Sequence, residues 1–188
     1  MQEANAGELA IAEIMRAVME ARSAGVKVIG LIGGRSGCYG GGGLIAGCCS
    51  ALAVSEAGRI AVSGPEVIET NRGVEEFDSR DRALVWRTMG GKHRRLLGAA
   101  DVFADDTVQD FREAALELIG LIGPFGLDRL RAEQGRLADR LRRFGACQDA
   151  VDIWTVEGVA HAETVPELPA DQFIALASRI GRSSRDAR

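Results

Sequence analysis

The residues with the clearest chemical potential are the glycines of one loop. Gly33-Gly34-Arg35-Ser36-Gly37-Cys38-Tyr39-Gly40-Gly41-Gly42-Gly43 runs straight into Leu44-Ile45-Ala46-Gly47-Cys48-Cys49. The chain holds 24 glycines, and their densest run lies between Gly30 and Gly47, so the search for a site begins there. Without a Cβ, a backbone can approach a ligand closely. A helix starting just after such a run has N–H groups with no intrahelical partner. Those donors and the helix dipole suit a negative charge. Three uses stay open at this point: a phosphate cradle, an oxyanion hole for a thioester oxygen that turns negative, or close helix–strand packing. The phosphate reading is weak, because a P-loop needs Lys and then Ser or Thr after its glycines. Here the chain continues Gly43-Leu44-Ile45. Gly37-x-x-Gly40 falls in so dense a run that its spacing does not identify a dinucleotide site.

Other residues carry smaller claims. Glu66 and Glu69 could line a site, or Glu66 could simply favour a helix N-terminus. Tyr39 could donate a hydrogen bond near an oxyanion, or pack as a lid. His93 stands among Lys92, Arg94 and Arg95 and reads as a surface residue. Cys38, Cys48, Cys49 and Cys147 form no Cys-x-x-Cys pair, and neither His93 nor His161 completes a zinc spacing. Cys48 and Cys49 sit in an apolar stretch beside Ala46, Ala51 and Leu52 and read as small core residues.

These groups must be positioned by something. The chain has 188 residues, 46% hydrophobic and 27% charged, enough for one globular domain. Its net charge of −4 gives no reason to expect nucleic acid as a partner. No secretory signal opens it, and no apolar run is long enough for a bilayer. A reduced, cytoplasmic setting without a membrane partner is therefore expected.

Ile11, Ile14, Met15, Val18 and Met19 recur at helical spacing, and the pattern predicts a helix ending at Gly25. Val26 to Ile32 reads as a buried strand rich in β-branched residues. The segment after the glycine loop reads as a helix buried on all sides. Ala51 to Val54 and Arg59 to Ser63 read as two strands around the turn Glu56-Ala57-Gly58. Pro65 suits the first position of a short helix, and Ser79 to Thr88 forms another. Val102 and Phe103 look like a strand fragment. Asp106 with Gln109 resembles a capping box opening a further helix. From about Leu127 to Phe144 a helix places Leu130, Leu137 and Leu141 on one side and arginines around much of the rest. That pattern is read as one packed leucine stripe with a solvated face, or as a basic surface for an acidic partner. Pro166 and Pro169 bracket a loop, Asp171 to Ile180 forms a terminal helix, and Ser183 to Arg188 reads as frayed. No repeat or linker divides the chain, so residues 1–188 are expected to form a single domain with a helical tail from about residue 106.

Gly37-Cys38-Tyr39-Gly40-Gly41-Gly42-Gly43 resembles the oxyanion-hole segment of carboxyltransferase subunits in the crotonase-like superfamily. Ser63-Gly64-Pro65-Glu66-Val67 is similar to a strand-ending segment of acyl-CoA carboxylases. The continuation from Thr70 through Asn71-Arg72-Gly73-Val74-Glu75-Glu76-Phe77-Asp78-Ser79-Arg80-Asp81-Arg82-Ala83-Leu84-Val85-Trp86-Arg87 resembles the malonate decarboxylase β subunit more specifically. Gly90-Gly91-Lys92-His93-Arg94 and the opening Gln2-Glu3-Ala4-Asn5-Ala6-Gly7 extend that likeness. The resemblance implies an α/β, crotonase-like fold of ββα repeats, partial here, with C-terminal helices. It implies decarboxylation of a malonyl thioester, carried by an acyl carrier protein on a CoA-like phosphopantetheine arm, to acetyl thioester and CO2. It implies a γ subunit as partner, no directly bound cofactor and no need for biotin. The backbone of Gly40, Gly41 and Gly42 would supply the oxyanion hole. Gly33, Gly34, Tyr39, Gly64, Pro65 and Glu66 would line the substrate site. The family pattern also implies ββα material ahead of the segment that matches Gln2, including a second glycine-bearing strand end. A non-catalytic scaffold that binds γ, or a crotonase-type acyl-CoA hydrolase or isomerase, is the alternative.

Overall fold

Three short parallel strands decide where the loops can meet. In the computed structural model, which describes the backbone of residues 4–186 and the side chains of residues 6–180, β1 (Ile29–Ile32), β2 (Ala51–Ser55) and β3 (Val102–Ala104) form a sheet in the order β1-β2-β3. Ile29 lies opposite Ala51, and Ala53 opposite Val102. All strands point the same way, so the loops after Ile32, Ser55 and Ala104 emerge at one edge. In open parallel sheets that carboxyl edge is where ligands bind.

The crossovers are helical, as parallel strands require. Helix α1 (Ala4–Ser23) precedes β1 and stops before Gly25, whose φ of 88° suits glycine. Helix α2 (Gly41–Cys48) links β1 to β2. Helices α3 (Pro65–Arg72), α4 (Arg82–Met89) and α5 (Gly91–Leu96) link β2 to β3. After β3 come α6 (Val108–Leu121), α7 (Leu127–Phe144), α8 (Ala150–Val156), a 3₁₀ turn (Ala162–Glu167) and α9 (Ala170–Asp186).

Successive β2 side chains face opposite ways, which builds two cores. Ala51 and Ala53 pack with Ala104 and with Ala114 and Leu118 of α6. Leu52 and Val54 pack with Leu96, Phe103, Trp154 and Phe173, from α5, β3, α8 and α9. The rings of Phe103 and Phe173 meet edge to face, 4.6 Å apart. Phe173 is fully buried, and truncating such a ring to alanine costs about 3–5 kcal/mol. A third cluster joins Phe77, Val85 and Met89 to Tyr39, Ile68 and Trp86 under α3 and α4.

Several expectations change in three dimensions. The strand after Val26 is shorter and lies at the sheet edge, so Leu31 is 50% exposed rather than buried. Helix α2 buries only Ala46 and leaves Leu44 exposed, so it is not enclosed on all sides. Arg59 to Ser63 does not form a hairpin with β2. It makes a minimal second ladder instead: Cys38 pairs with Ile60 in parallel, and Arg59 pairs with Gly90 antiparallel. The cap of α6 is Thr107, whose side chain accepts from Asp110 N–H, because Asp106 is engaged elsewhere. The cysteines are free and only partly buried. The loop bracketed by Pro166 and Pro169 begins inside the 3₁₀ turn, whose last two residues are Pro166 and Glu167. Helix α9 continues through Ser183 to Asp186; the last two residues, like Gln2 and Glu3, lie outside the described residues.

Candidate active site at the glycine loop

The carboxyl edge of the sheet is tied together by one carboxylate. Asp106 Oδ1 accepts from Ser55 Oγ at 2.7 Å and from Gly34 N–H at 3.1 Å. Ser55 is fully buried at the end of β2, and its Oγ in turn accepts from Gly58 N–H at 3.3 Å. One aspartate therefore joins the loops that follow all three strands. Gly33 sits so close that a Cβ there would lie 2.5 Å from Asp106 Oδ1. Gly34 takes a φ of 74°, so both predicted residues belong to this clamp. Asp106 escaped the sequence reading because its spacing to Gln109 imitates a helix cap. The usable signal was its place just past β3, on the edge where β1 also ends.

Beyond the clamp, the second ladder carries the loop to α2. Cys38 N–H donates to Arg59 O at 2.7 Å, and Gly40 N–H to Val62 O at 2.9 Å. Gly40 caps α2 with φ 57° and ψ −127°, a conformation that disfavours any side chain. A Cβ on Gly41 would lie 2.2 Å from Ile11 Cδ1, and one on Gly43 would lie 2.3 Å from Ala61 O. Much of the glycine content thus answers to packing. Gly42 is looser: it is exposed, and a Cβ there would meet only Cys38 Sγ at 3.4 Å.

The N–H groups separate in the same way. Gly40 N–H is taken by Val62 O, and Gly42 N–H donates to Tyr39 O at 3.1 Å. Among the described residues, no acceptor takes the N–H of Gly41 or Gly43. These are the first and third residues of α2, where the helix leaves donors open. Of the trio expected from sequence, Gly41 keeps a free donor, and Gly43 joins it.

Tyr39 closes one side. Its ring covers Gly37, where a Cβ would fall 2.0 Å from it, and it touches Gly64. Its hydroxyl is buried with no hydrogen-bond partner among the described residues. Burial pushes the phenol up, and nearby Arg59 only partly offsets this. Gly64 and Pro65 start α3, with Pro65 at its first turn and Glu66 in the same turn. Pro65 and Glu66 face an open cleft of about 690 Å³, also lined by Arg35, Arg59, Arg82 and Trp86. Glu69 is turned away, accepting Ser79 N–H at 2.7 Å; the Ser79 side chain first, and this backbone bond second, hold its carboxyl below the usual range.

His93 is not on the surface. It is 6% exposed, and its ring centroid lies 6.1 Å from that of Trp154. Burial above all, then Arg94, pushes the imidazole down to about 3, so it is neutral near pH 7. Lys92 is buried too, where Nζ donates to Glu56 Oε1 at 2.7 Å, Leu168 O at 2.8 Å and Pro166 O at 2.9 Å. Both residues serve the core beneath the site. Burial also raises the Cys38 and Cys49 thiols, which disfavours thiolate chemistry there. Among the described residues, no group of three or more metal-ligating side chains converges, and no helix is long and apolar enough to cross a membrane.

No family model matches the chain. It is 36% identical over 96% of its length to the malonyl-S-ACP:biotin-protein carboxyltransferase MADC of Malonomonas rubra, and spans 58% of that relative. A malonate decarboxylase hetero-tetramer from Pseudomonas, solved with malonate, contains a chain that matches with a TM-score of 0.69 at 35% identity. That match covers 82% of this chain and 56% of the other. The Pseudomonas MdcD-MdcE hetero-dimer matches with a TM-score of 0.58 at 33% identity, over 77% of this chain and 57% of the other. Over the length that it spans, the chain is similar to this carboxyltransferase and to these malonate decarboxylase chains, and it shares their crotonase-like α/β fold.

Proposed function

We propose that this chain is the β-type subunit of a malonate decarboxylase and supplies an oxyanion-stabilising turn. The substrate would be a malonyl thioester on the phosphopantetheine arm of an acyl carrier protein, and the products acetyl thioester and CO2. The observation that carries this reading is the similarity, over nearly the whole chain, to an enzyme named for malonyl-S-ACP. The partner would be a γ-type subunit, which the hetero-dimeric organisation of one neighbour supports. Residues 1–188 would act as one domain, since α6 covers one face of the sheet while α8 and α9 cover the other.

The chemistry suits an open helix start. Breaking the bond to the departing carboxylate sends its electron pair toward the thioester, and CO2 leaves. Negative charge collects on the thioester oxygen. Donors aimed there bind the transition state better than the ground state. One such donor contributes about 3 kcal/mol. Gly41 and Gly43 would supply it, flanked by Gly40 and Gly42, which fix the turn. The Asp106 clamp and Tyr39 would hold the turn in place, with Gly33, Gly34, Gly64, Pro65 and Glu66 around the acyl group. Protonation of the enolate carbon from an acid or water completes acetyl thioester.

A second reading has a specific support. The named activity of the Malonomonas relative passes the carboxyl group to a biotin protein. Both readings share the enolate and differ in the fate of the carboxyl group. The biotin-independent form is the one we propose. The test is CO2 release from malonyl-acyl carrier protein by the chain assembled with its partner, with and without avidin. Release unaffected by avidin is expected. Release that depends on added biotin protein would shift the assignment to carboxyl transfer, and no turnover with either would overturn both.

A further inference from the structure

The cleft beside Pro65 has an unusual charge arrangement. Arg35, Arg59 and Arg82 line it, against the single carboxylate of Glu66. None of these arginines is within ion-pair distance of a carboxylate among the described residues, whereas Arg16, Arg72, Arg87, Arg136 and Arg142 are. Trp86 forms the wall. Its indole is pinned by Nε1–H donating to Glu56 O at 3.2 Å. The Arg59 guanidinium stacks 4.5 Å from the ring centroid, and Arg82 lies 5.3 Å from the same centroid. Arg59 is fixed further by Nη2 donating to Arg35 O. Three guanidinium groups without a carboxylate partner, one of them stacked and hydrogen-bonded in place, suit anionic oxygen, which arginine recognises through paired hydrogen bonds.

We infer that this cleft binds an anionic oxygen group of an acyl-thioester ligand, a carboxylate or a phosphate, on Arg35, Arg59 and Arg82 against Trp86. The acyl-thioester identity rests on the decarboxylase reading; the anion site does not. The cleft adjoins the loop through Tyr39, whose ring centroid lies 5.9 Å from the Arg59 guanidinium. A malonyl carboxylate and the phosphate of a pantetheine arm share the required chemistry. Glu66 opposes either one and sets a sign that the test can read.

The experiment is titration calorimetry of the full chain with malonyl-N-acetylcysteamine, acetyl-CoA and inorganic phosphate. The variants are Arg82→Gln, Arg35→Gln and Glu66→Gln, each checked for an unchanged circular dichroism spectrum. Losing one charge-assisted bond should weaken binding roughly tenfold in Arg82→Gln or Arg35→Gln. Glu66→Gln should tighten it, and added salt should weaken it. A response confined to malonyl-N-acetylcysteamine assigns a carboxylate. A response to acetyl-CoA and phosphate assigns the arm. Absence of binding by every probe, or affinities indifferent to all three substitutions, would overturn the inference. Substitution-sensitive binding by a chain without decarboxylase activity would leave this site standing and remove the functional reading instead.

Discussion

Residues 33–43 and helix α7 are held in opposite ways. In the loop, the backbone itself is gripped: Asp106 takes Gly34 N–H, Val62 O takes Gly40 N–H, and Ile11 and Ala61 press on Gly41 and Gly43. Helix α7 has no buried residue over its 18 positions. Leu127, Leu130, Leu137 and Leu141 are all exposed, with Leu141 at 75%, so the expected leucine stripe is not packed within this chain. The helix is joined to the rest mainly by arginine side chains. Arg136 Nη1 donates to Gly98 O at 2.6 Å, Arg140 reaches the same oxygen, and Arg143 pairs with Glu157 at 2.7 Å. A loop rich in glycine is thus the more constrained of the two, and a regular helix the less. Glycine content does not measure freedom where a Cβ would strike a neighbour, as at Gly33, Gly37, Gly41 and Gly43.

That contrast can be broken by experiment. Acid should produce the largest effect, through the buried His93 of α5 in the core beneath the loop. An unfolded imidazole protonates near pH 6.5, whereas the folded one protonates only near 3. Between those values the unfolded chain binds more protons. The histidine-linked stability is therefore intact above pH 6.5 and falls as pH drops, by up to about 1.4 kcal/mol per pH unit. Urea midpoints measured from pH 7 to 4 should show this slope, and His93→Asn should flatten it. Next comes Gly43→Ala, whose methyl group would meet a backbone oxygen that cannot turn aside. A loss of about 1–3 kcal/mol or more is expected in thermal or urea unfolding. Asp106→Ala leaves the buried Ser55 hydroxyl without its acceptor and should cost about 1–3 kcal/mol, with faster hydrogen exchange at Gly34. Leu137→Glu on α7 should change the stability of the isolated chain by no more than about 0.5 kcal/mol. A large loss there would show that α7 packs more closely than the contrast allows.

Periodicity and punctuation made much of the fold readable from sequence. The bounds Leu127–Phe144 follow from the leucine and arginine spacing, and Pro65 marks the start of α3. The strands at Ala51 and Val102 are visible in their short apolar runs. Packing partners were not readable, because spacing says which residues share a face but not what covers it. Hence Leu31 and the α7 leucines read as buried, and His93 as exposed. The candidate site was legible only as a place. Which N–H groups remain open depends on distant acceptors such as Val62 O, and Asp106 joins Gly34 across 72 positions of sequence. The arginine cleft gathers residues 35, 59 and 82 with Trp86, a set with no local pattern.

The central claim concerns open backbone donors, Gly41 N–H first among them, so side-chain bulk is a poor probe. Any Cβ at Gly41 strikes Ile11 before it reports on chemistry. Replacing Gly41 by glycolic acid, which exchanges its N–H for an ester oxygen, removes the donor without adding volume. The direct measurement is the rate of CO2 release from malonyl-acyl carrier protein by the assembled complex, with that exchange made at position 41 and separately at 42. The ester at 41 should slow release by about 10²- to 10³-fold, while the ester at 42, whose N–H already serves Tyr39 O, should cost far less. An unslowed ester at 41 in a folded, assembled complex would contradict the account.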